Sequence, residues 1–250
     1  MDLLKKDLVI FDLDGTLAPS KSAMDPEMGT LLVSLLQKKK VAIISGGGYP
    51  QFETQMLRMM PHTSTGLSNL FLLPTSGTRF LIWKGSWVEQ YAENLTDREK
   101  KDIISNLEWA FKIAGYEKPV KTYGSTIEDR GSQITFSALG QEAPLDIKTA
   151  WDPDRIKRER IAVILREKIP TFDIRLGGTT SIDITRKGVN KAYGIHKLEQ
   201  YLSISIEHMV FVGDALFHGG NDYPAKATGI DCIQVTGPEE TRKLILNWIA

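Results

Sequence analysis

Two aspartates, Asp12 and Asp14, stand one residue apart at the end of the apolar run in LVIFDLDGT, and Gly15 and Thr16 follow at once. Leu8 to Phe11 read as a short strand covered on both faces. The pair then sits where that strand leaves its sheet, with both side chains on one side if the backbone stays extended. Carboxylates this close repel, and a cation or a shared proton must offset the cost. Three other segments end in groups of complementary chemistry. VAIIS closes on Ser45 and runs into Gly46 and two more glycines, MVFVG runs into Asp214, and GVNK places Lys191 at the start of a helical pattern. Taken singly, each has a plain structural reading, since strand-end aspartates and Ser-Gly pairs make turns and a helix lysine is solvated.

Taken together they make one site. Asp12, Asp14 and Asp214 at neighbouring strand ends form a hard, oxygen-rich pocket suited to Mg²⁺, which accepts few carboxylates and keeps several waters. Ser45 and the backbone N–H of Gly46 can hold phosphoryl oxygens, and Lys191 adds a compact positive charge for the same oxygens. A carboxylate can attack phosphorus to give an aspartyl phosphate. A second carboxylate two residues on can give or take the proton of a sugar or water oxygen. The chemistry these residue types support is phosphoryl transfer through a covalent intermediate.

Elements that would position such a site are legible along the chain. DPEMGTLLVSLLQKKK reads as a helix with Asp25 at its N-cap, Pro26 in its first turn and lysines at its end. QFETQMLRMM is a further helical stretch, and NLFLLP a third apolar strand. Late in the chain come the helix NKAYGIHKLEQYL, the strand HMVFVGD, a glycine-rich loop, the strand DCIQV and the helix PEETRKLILNWIA. Strands alternating with helices build a doubly wound, Rossmann-like parallel sheet, with ligands beyond the carboxyl ends of the strands. The middle differs. SQITFSA alternates polar and apolar residues, and LTDREKKDIISNLEWAFKIA and WDPDRIKRERIAVILREK read as two long charged helices. The expectation is an α/β core, residues 1–80 and 186–250, carrying an inserted α+β cap over residues 81–185 with one face of its antiparallel sheet in solvent.

Charge and composition exclude several classes. Thirty-one basic and 31 acidic residues cancel, which argues against a nucleic-acid or anionic-membrane surface. A single cysteine, Cys232, forms no internal disulfide and fits a reducing, cytoplasmic setting. The apolar run after the charged N-terminus is too short for a signal or a span. His62, His196, His208 and His218 lack metal-ligand spacing, and Trp83, Trp87 and Trp109 suggest a cap core or cap interface.

FDLDGTL resembles the first signature of the haloacid dehalogenase superfamily, with IISGG, GVNK and GDALFHGGND similar to its second, third and fourth motifs. The resemblance implies that Asp12 is the nucleophile and Asp14 the acid/base. It also implies that Asp12, Asp214 and the backbone carbonyl of Asp14 hold Mg²⁺, with Asn221 and Asp222 in support. Within the superfamily the chain looks most like eukaryotic-type phosphomannomutases, through EDRGSQITFSALGQ, GGTTSIDITRKGVNK and GDALFHGGNDYP. That likeness implies that Arg130 meets the distal phosphate and that Ser181 and Asp183 meet phosphate and sugar hydroxyls. It implies a hexose 1,6-bisphosphate activator, a sugar-phosphate substrate and a homodimer through the cap.

One position departs from the pattern. Where the family carries a second arginine, eleven residues after the first, this chain has Gln141. A mutase must grip the far phosphate so that its bisphosphate intermediate is reoriented rather than lost. The leading reading is a mutase interconverting mannose 6-phosphate and mannose 1-phosphate. A sugar-phosphate phosphatase is the alternative that Gln141 favours, and a non-catalytic sugar-phosphate sensor is the third.

Overall fold

The computed structural model describes residues 5–61 and 65–250, so His62 lies outside the described residues. The strands are β1 (Leu8–Phe11), β2 (Lys40–Ile44), β3 (Leu70–Leu73), β4 (Arg79–Trp83), β5 (Trp87–Ala92), β6 (Ile127–Asp129), β7 (Gln133–Ser137), β8 (Phe172–Gly177), β9 (Ser181–Arg186), β10 (Met209–Gly213) and β11 (Asp231–Gln234). The α-helices are α1 (Pro26–Leu36), α2 (Tyr49–Gln55), α3 (Asp97–Ala114), α4 (Leu145–Trp151), α5 (Ile156–Lys168), α6 (Lys191–Leu202) and α7 (Pro238–Ile249). They form two compact units, Met1–Ala92 with Val189–Ala250, and Glu93–Gly188.

The first unit is built on a seven-stranded sheet in the order β11-β10-β1-β2-β3-β4-β5. Strands β11 to β3 run parallel, and β4 and β5 are added antiparallel at the edge. The apolar runs LVIF and MVFVG are buried along their whole length because helices cover both faces. Val9, Phe11, Ile43 and Val212 pack on one side with α1 and α7, while Leu8, Ile10, Ile44 and Phe211 pack on the other with α6. Each such side chain contributes about 1.5–3 kcal/mol on burial. Helix α1 starts as its sequence suggests, with Asp25 accepting a hydrogen bond from the N–H of Glu27. It ends at Leu36, short of the lysines expected in its last turn. Lys38 and Lys39 instead donate to the backbone carbonyls of Ile249 and Lys6.

The hairpin of β4 and β5 corrects the expected edge of the cap. The sequence places residues 81–92 in the insertion, but they extend the first unit's sheet, with Leu72 opposite Leu81. Trp83 and Trp87 accordingly belong to this hairpin, edge to face at 5.4 Å, and only Trp109 lies on the second unit, exposed on α3.

The second unit is a four-stranded antiparallel sheet in the order β6-β7-β9-β8, backed by α3 and α5. Ile134, Phe136, Ile182 and Ile184 face the helices. The alternate residues Gln133, Thr135, Ser137, Ser181, Asp183 and Thr185 share the other face. That face is not solvated as alternation alone suggests, since Gln133, Thr135, Ser137 and Thr185 are buried. Three of the four bond to other polar side chains, Ser137 to Thr180 at 3.2 Å and Gln133 to Thr135 at 2.8 Å, while Oγ1 of Thr185 has no partner. Helix α3 opens with a capping box of Thr96 and Glu99. The second expected long helix starts only at Ile156. Asp152 and Pro153 interrupt the pattern, and Asp152 caps α5 by accepting from the N–H of Lys157 at 2.9 Å.

Candidate active site

Parallel pairing of β1 with both β2 and β10 brings three strand ends side by side. Asp12 follows β1 directly and is buried, its N–H donating to the carbonyl of Val212 at 3.0 Å. Asp214 follows β10, its N–H donating to Oγ1 of Thr16 at 3.1 Å. Between them Gly15 turns the chain with φ +83°, a conformation that a side chain strains, and a Cβ there would strike the Asp214 carboxylate at 2.5 Å. Gly15 thus serves both the turn and the approach of Asp214. Asp222 returns from the glycine-rich loop, fully buried, with Oδ2 accepting from the N–H of Ala215 at 3.1 Å.

Lys191 arrives as the first residue of α6, behind the N-cap Asn190. The helix can come this close because Gly77 and Gly194 meet backbone to backbone, where a Cβ on Gly77 would lie 2.6 Å from Cα of Gly194. The buried Lys191 ammonium donates to Oδ1 of Asp12 and to the carbonyl of Ile44, and stands 3.4 Å from Oδ1 of Asp222. Burial alone would lower its pKa. The charges of Asp12 and Asp222 more than reverse this, and it is raised. The Asp12 carboxyl is pushed well above the usual range, first by burial and then by the charges of Asp222 and Asp14, with Lys191 opposing. Burial, followed by the charge of Asp222, raises Asp214 as well.

Asp12, Asp214 and Asp222 each offer an oxygen within 4.8 Å of the others, close to the roughly 4 Å that spans a Mg²⁺ ion with two 2.0–2.1 Å bonds. Oδ2 of Asp12 and Oδ1 of Asp222 are buried without a hydrogen-bond partner. Buried carboxylate oxygens without a partner, in a cluster of three carboxylates, are costly unless a cation joins them, so these residues fit a divalent metal. The acidic cluster differs from the expected set in one member. The Asp14 side chain is not part of it, because β1 ends at Phe11 and the turn sends that carboxylate to the backbone N–H of Lys21 and to Gln51 and Gln55. Asp222 takes the third place, while Asn221 beside it is exposed.

At the end of β2, the buried Ser45 accepts at Oγ from the N–H of Gly47 at 3.1 Å and at its carbonyl from the N–H of Ser76 at 2.8 Å. A Cβ on Gly46 would meet nothing within 4 Å, so the backbone there faces open space.

In the second unit, Ser181 and Asp183 lie on the polar face of the sheet, opposite Ser137 and Thr135. Asp183 Oδ1 accepts from Gln133 at 2.9 Å and from Thr135 at 2.8 Å, and Oγ of Ser181 is buried without a partner. Arg130 follows β6 opposite Gln133 and forks onto Oε2 of Glu128, through Nε at 2.9 Å and Nη2 at 2.7 Å. Gln141 leaves its side-chain amide nitrogen buried and unbonded, while its backbone carbonyl accepts from the Lys148 ammonium at 2.7 Å. Arg158 is buried in an ion pair with Asp152 at 2.7 Å, and its Nη1 holds the carbonyls of Gly177, Gly178 and Ser181. Sequence reasoning missed Thr16, Gln51, Gln55, Thr135 and Lys148. Only the glutamines carry a local signal, their spacing of four on one helix.

A family model described as "Eukaryotic phosphomannomutase" matches residues 31–249. The chain is 26% identical to a "Probable phosphomannomutase" of Caenorhabditis elegans, covering 96% of this chain and 94% of that protein. It is 27% identical to the phosphomannomutase of Spinacia oleracea, covering 94% of this chain and 93% of that one. Among solved structures, a haloacid dehalogenase-like hydrolase from Bacteroides thetaiotaomicron shares the fold, with TM-score 0.64 at 14% identity over 97% of this chain and 99% of that one.

Proposed function

The chain belongs to the eukaryotic phosphomannomutase family, enzymes of the haloacid dehalogenase superfamily, and we propose that it moves a phosphoryl group between the 1- and 6-oxygens of mannose phosphate. The observation that carries this reading is the buried cluster of Asp12, Lys191, Asp214 and Asp222 at adjoining strand ends. Asp12 is the nucleophile. Lys191 donates to its Oδ1. As Oδ–P bond formation proceeds, the P–O bond to the sugar breaks, and Asp14 supplies the proton that the departing oxygen needs. Mg²⁺ held by Asp12, Asp214 and Asp222 would neutralise charge on the phosphoryl oxygens. Ser45, the Gly46 N–H and Lys191 bind those same oxygens. In the reverse sense Asp14 takes a proton from the accepting hydroxyl.

The second unit selects the sugar. Asp183, with Oδ1 fixed by Gln133 and Thr135, accepts from sugar hydroxyls, and Ser181 and Arg130 bind the distal phosphate. The missing guanidinium at Gln141 favours a second reading, a sugar-phosphate phosphatase in which water takes the phosphoryl group. Lys148 speaks for the mutase, since its ammonium returns a positive charge beside Gln141.

Phosphorus NMR separates the two. With Mg²⁺, mannose 1-phosphate and a trace of hexose 1,6-bisphosphate, a growing hexose 6-phosphate signal that depends on the bisphosphate and vanishes in Asp12→Asn identifies the mutase. Inorganic phosphate growing in its place identifies the phosphatase, and neither signal overturns both.

A further inference from the structure

Both oxygens of the Asp14 carboxylate are engaged. Oδ2 accepts from Nε2 of Gln51 at 2.8 Å, while Oδ1 accepts from the backbone N–H of Lys21 at 2.6 Å and from Nε2 of Gln55 at 3.3 Å. The glutamines are joined to each other as well, Nε2 of Gln51 donating to Oε1 of Gln55 at 2.8 Å. They lie four residues apart on α2 and so on one face of it. Gln55 is 6% exposed. A Cβ on Gly47 would run into the side-chain amide of Gln51, so a bare backbone at Gly47 is what lets that amide stand where it does.

We propose that Gln51 and Gln55 are positioning residues for the proton-transfer carboxylate: they fix the orientation of Asp14 and so govern the proton steps, while leaving the nucleophile Asp12 alone. This rests on the roles given to Asp12 and Asp14 in the proposed function. A carboxylate transfers a proton only within hydrogen-bond reach of the reacting oxygen. Asp14 lies on a turn, and side-chain donors on both its oxygens remove rotamer freedom that the turn alone leaves. Asp12 is held from elsewhere, by Lys191 and through its N–H by Val212. The two carboxylates, two residues apart, therefore have separate supports.

Separate supports make separable steps. When the Asp12–phosphorus bond forms, the electron pair of the breaking P–O bond leaves on oxygen. A sugar alkoxide then takes a proton from Asp14, whereas 2,4-dinitrophenolate is stable as an anion and takes none. In the second half, the accepting hydroxyl or water gives its proton to Asp14 as its oxygen bonds phosphorus and the Asp12–phosphorus bond breaks. Misplacing Asp14 slows every step except phosphorylation by the dinitrophenyl ester.

The test compares wild type, Gln51→Leu and Gln55→Leu, supplied with Mg²⁺, on 2,4-dinitrophenyl phosphate in stopped flow and on mannose 1-phosphate at steady state. The expected result is a first-turnover burst of dinitrophenolate within about twofold of wild type, with sugar-phosphate turnover at least about tenfold lower in each variant. Gly47→Ala, which displaces the Gln51 amide without removing it, is expected to behave like Gln51→Leu. Burst and turnover falling together, or turnover unchanged, overturns the proposal. A wild type without a burst, or a burst that survives Asp12→Asn, instead sinks the reading of Asp12 beneath it, before any glutamine variant is compared.

Discussion

The ammonium of Lys191 is bonded to the carboxylate of Asp12, 179 residues earlier in the chain, and both side chains are 2% exposed. The pair closes the loop between the first strand and the first helix after the inserted unit. It is also the sole cation bonded within a cluster that carries Asp12, Asp214 and Asp222, among the described residues. Removing one partner of a buried ion pair typically costs about 3–5 kcal/mol, because the other charge stays behind. Lys191→Met is therefore expected to lose about that much in urea unfolding without metal. Asp12→Asn added to it should recover part of the loss, since one buried charge leaves with it. A double variant no more stable than Lys191→Met would mean that the cost comes from packing against Phe211 and not from charge.

Metal binding follows from the same cluster. Oδ2 of Asp12 and Oδ1 of Asp222 are buried without a hydrogen-bond partner, the latter with only the Lys191 ammonium nearby at 3.4 Å, and a divalent cation would offset the charge of both. Mg²⁺ at about ten times its dissociation constant should stabilise the protein by roughly 1.4 kcal/mol, or about 3–6 °C in melting temperature. Asp214→Asn and Asp12→Asn should each abolish most of that shift, and Asp214→Asn, which removes like-charge repulsion and leaves the Lys191–Asp12 pair intact, should start from a melting temperature no lower than that of metal-free wild type. An undiminished shift in both variants would place the metal elsewhere.

Much of this site was legible because strand ends are where open parallel sheets put chemistry, and Asp12, Ser45, Lys191 and Asp214 all follow or begin regular elements. The aim of Asp14 was not legible. Two aspartates two positions apart share a side only while the strand continues, and the chain turns at Gly15, φ +83°. The hairpin of β4 and β5 was misread for a related reason. An edge hairpin and a cap hairpin share one polar-apolar alternation, and only the partner strand, β3, tells them apart. In the second unit the buried polar face was read as solvated. Alternation reports which residues share a face, but the pairing of Thr135 with Asp183 depends on register across 48 residues.

Glu99 provides a pH test of the second unit alone. The hydrogen bond from Arg186, opposed by burial and helped by Thr96, holds its carboxyl at about 2, below the usual 4.5. A depressed folded-state pKa means stability that is present above about 4.5 and lost as pH falls toward about 2. Glu99→Gln keeps the capping geometry and removes the charge. Because the Arg186 side chain is 40% exposed, the pair is screened and contributes at most about 1 kcal/mol at pH 7. The stability gap between wild type and variant should narrow below about pH 4.5, close by about pH 2 and shrink in high salt. A gap that is constant with pH would assign the effect to packing.

Gln141 and Lys148 decide the outcome of the reaction if the cap-side phosphate is bound where the family likeness implies. The side-chain amide nitrogen of Gln141 is buried and unbonded, a donor in want of an acceptor, and its backbone carbonyl holds the Lys148 ammonium at 2.7 Å. Burial lowers the pKa of Lys148 from that of a free lysine, so its positive charge is lost sooner as pH rises. A hydrogen bond to a charged group is worth about 1.5–3 kcal/mol, roughly 10- to 100-fold in binding. Lys148→Met should raise the concentration of hexose 1,6-bisphosphate needed for half-activation by at least about tenfold and divert turnover toward inorganic phosphate. Gln141→Arg should do the opposite, restoring a bidentate grip that an amide lacks. In wild type, the ratio of mutase product to inorganic phosphate should fall on the alkaline side, and in Lys148→Met that ratio should lose its pH dependence. Equal ratios in wild type and both variants would show that the far phosphate is gripped by other groups, Arg130 first among them.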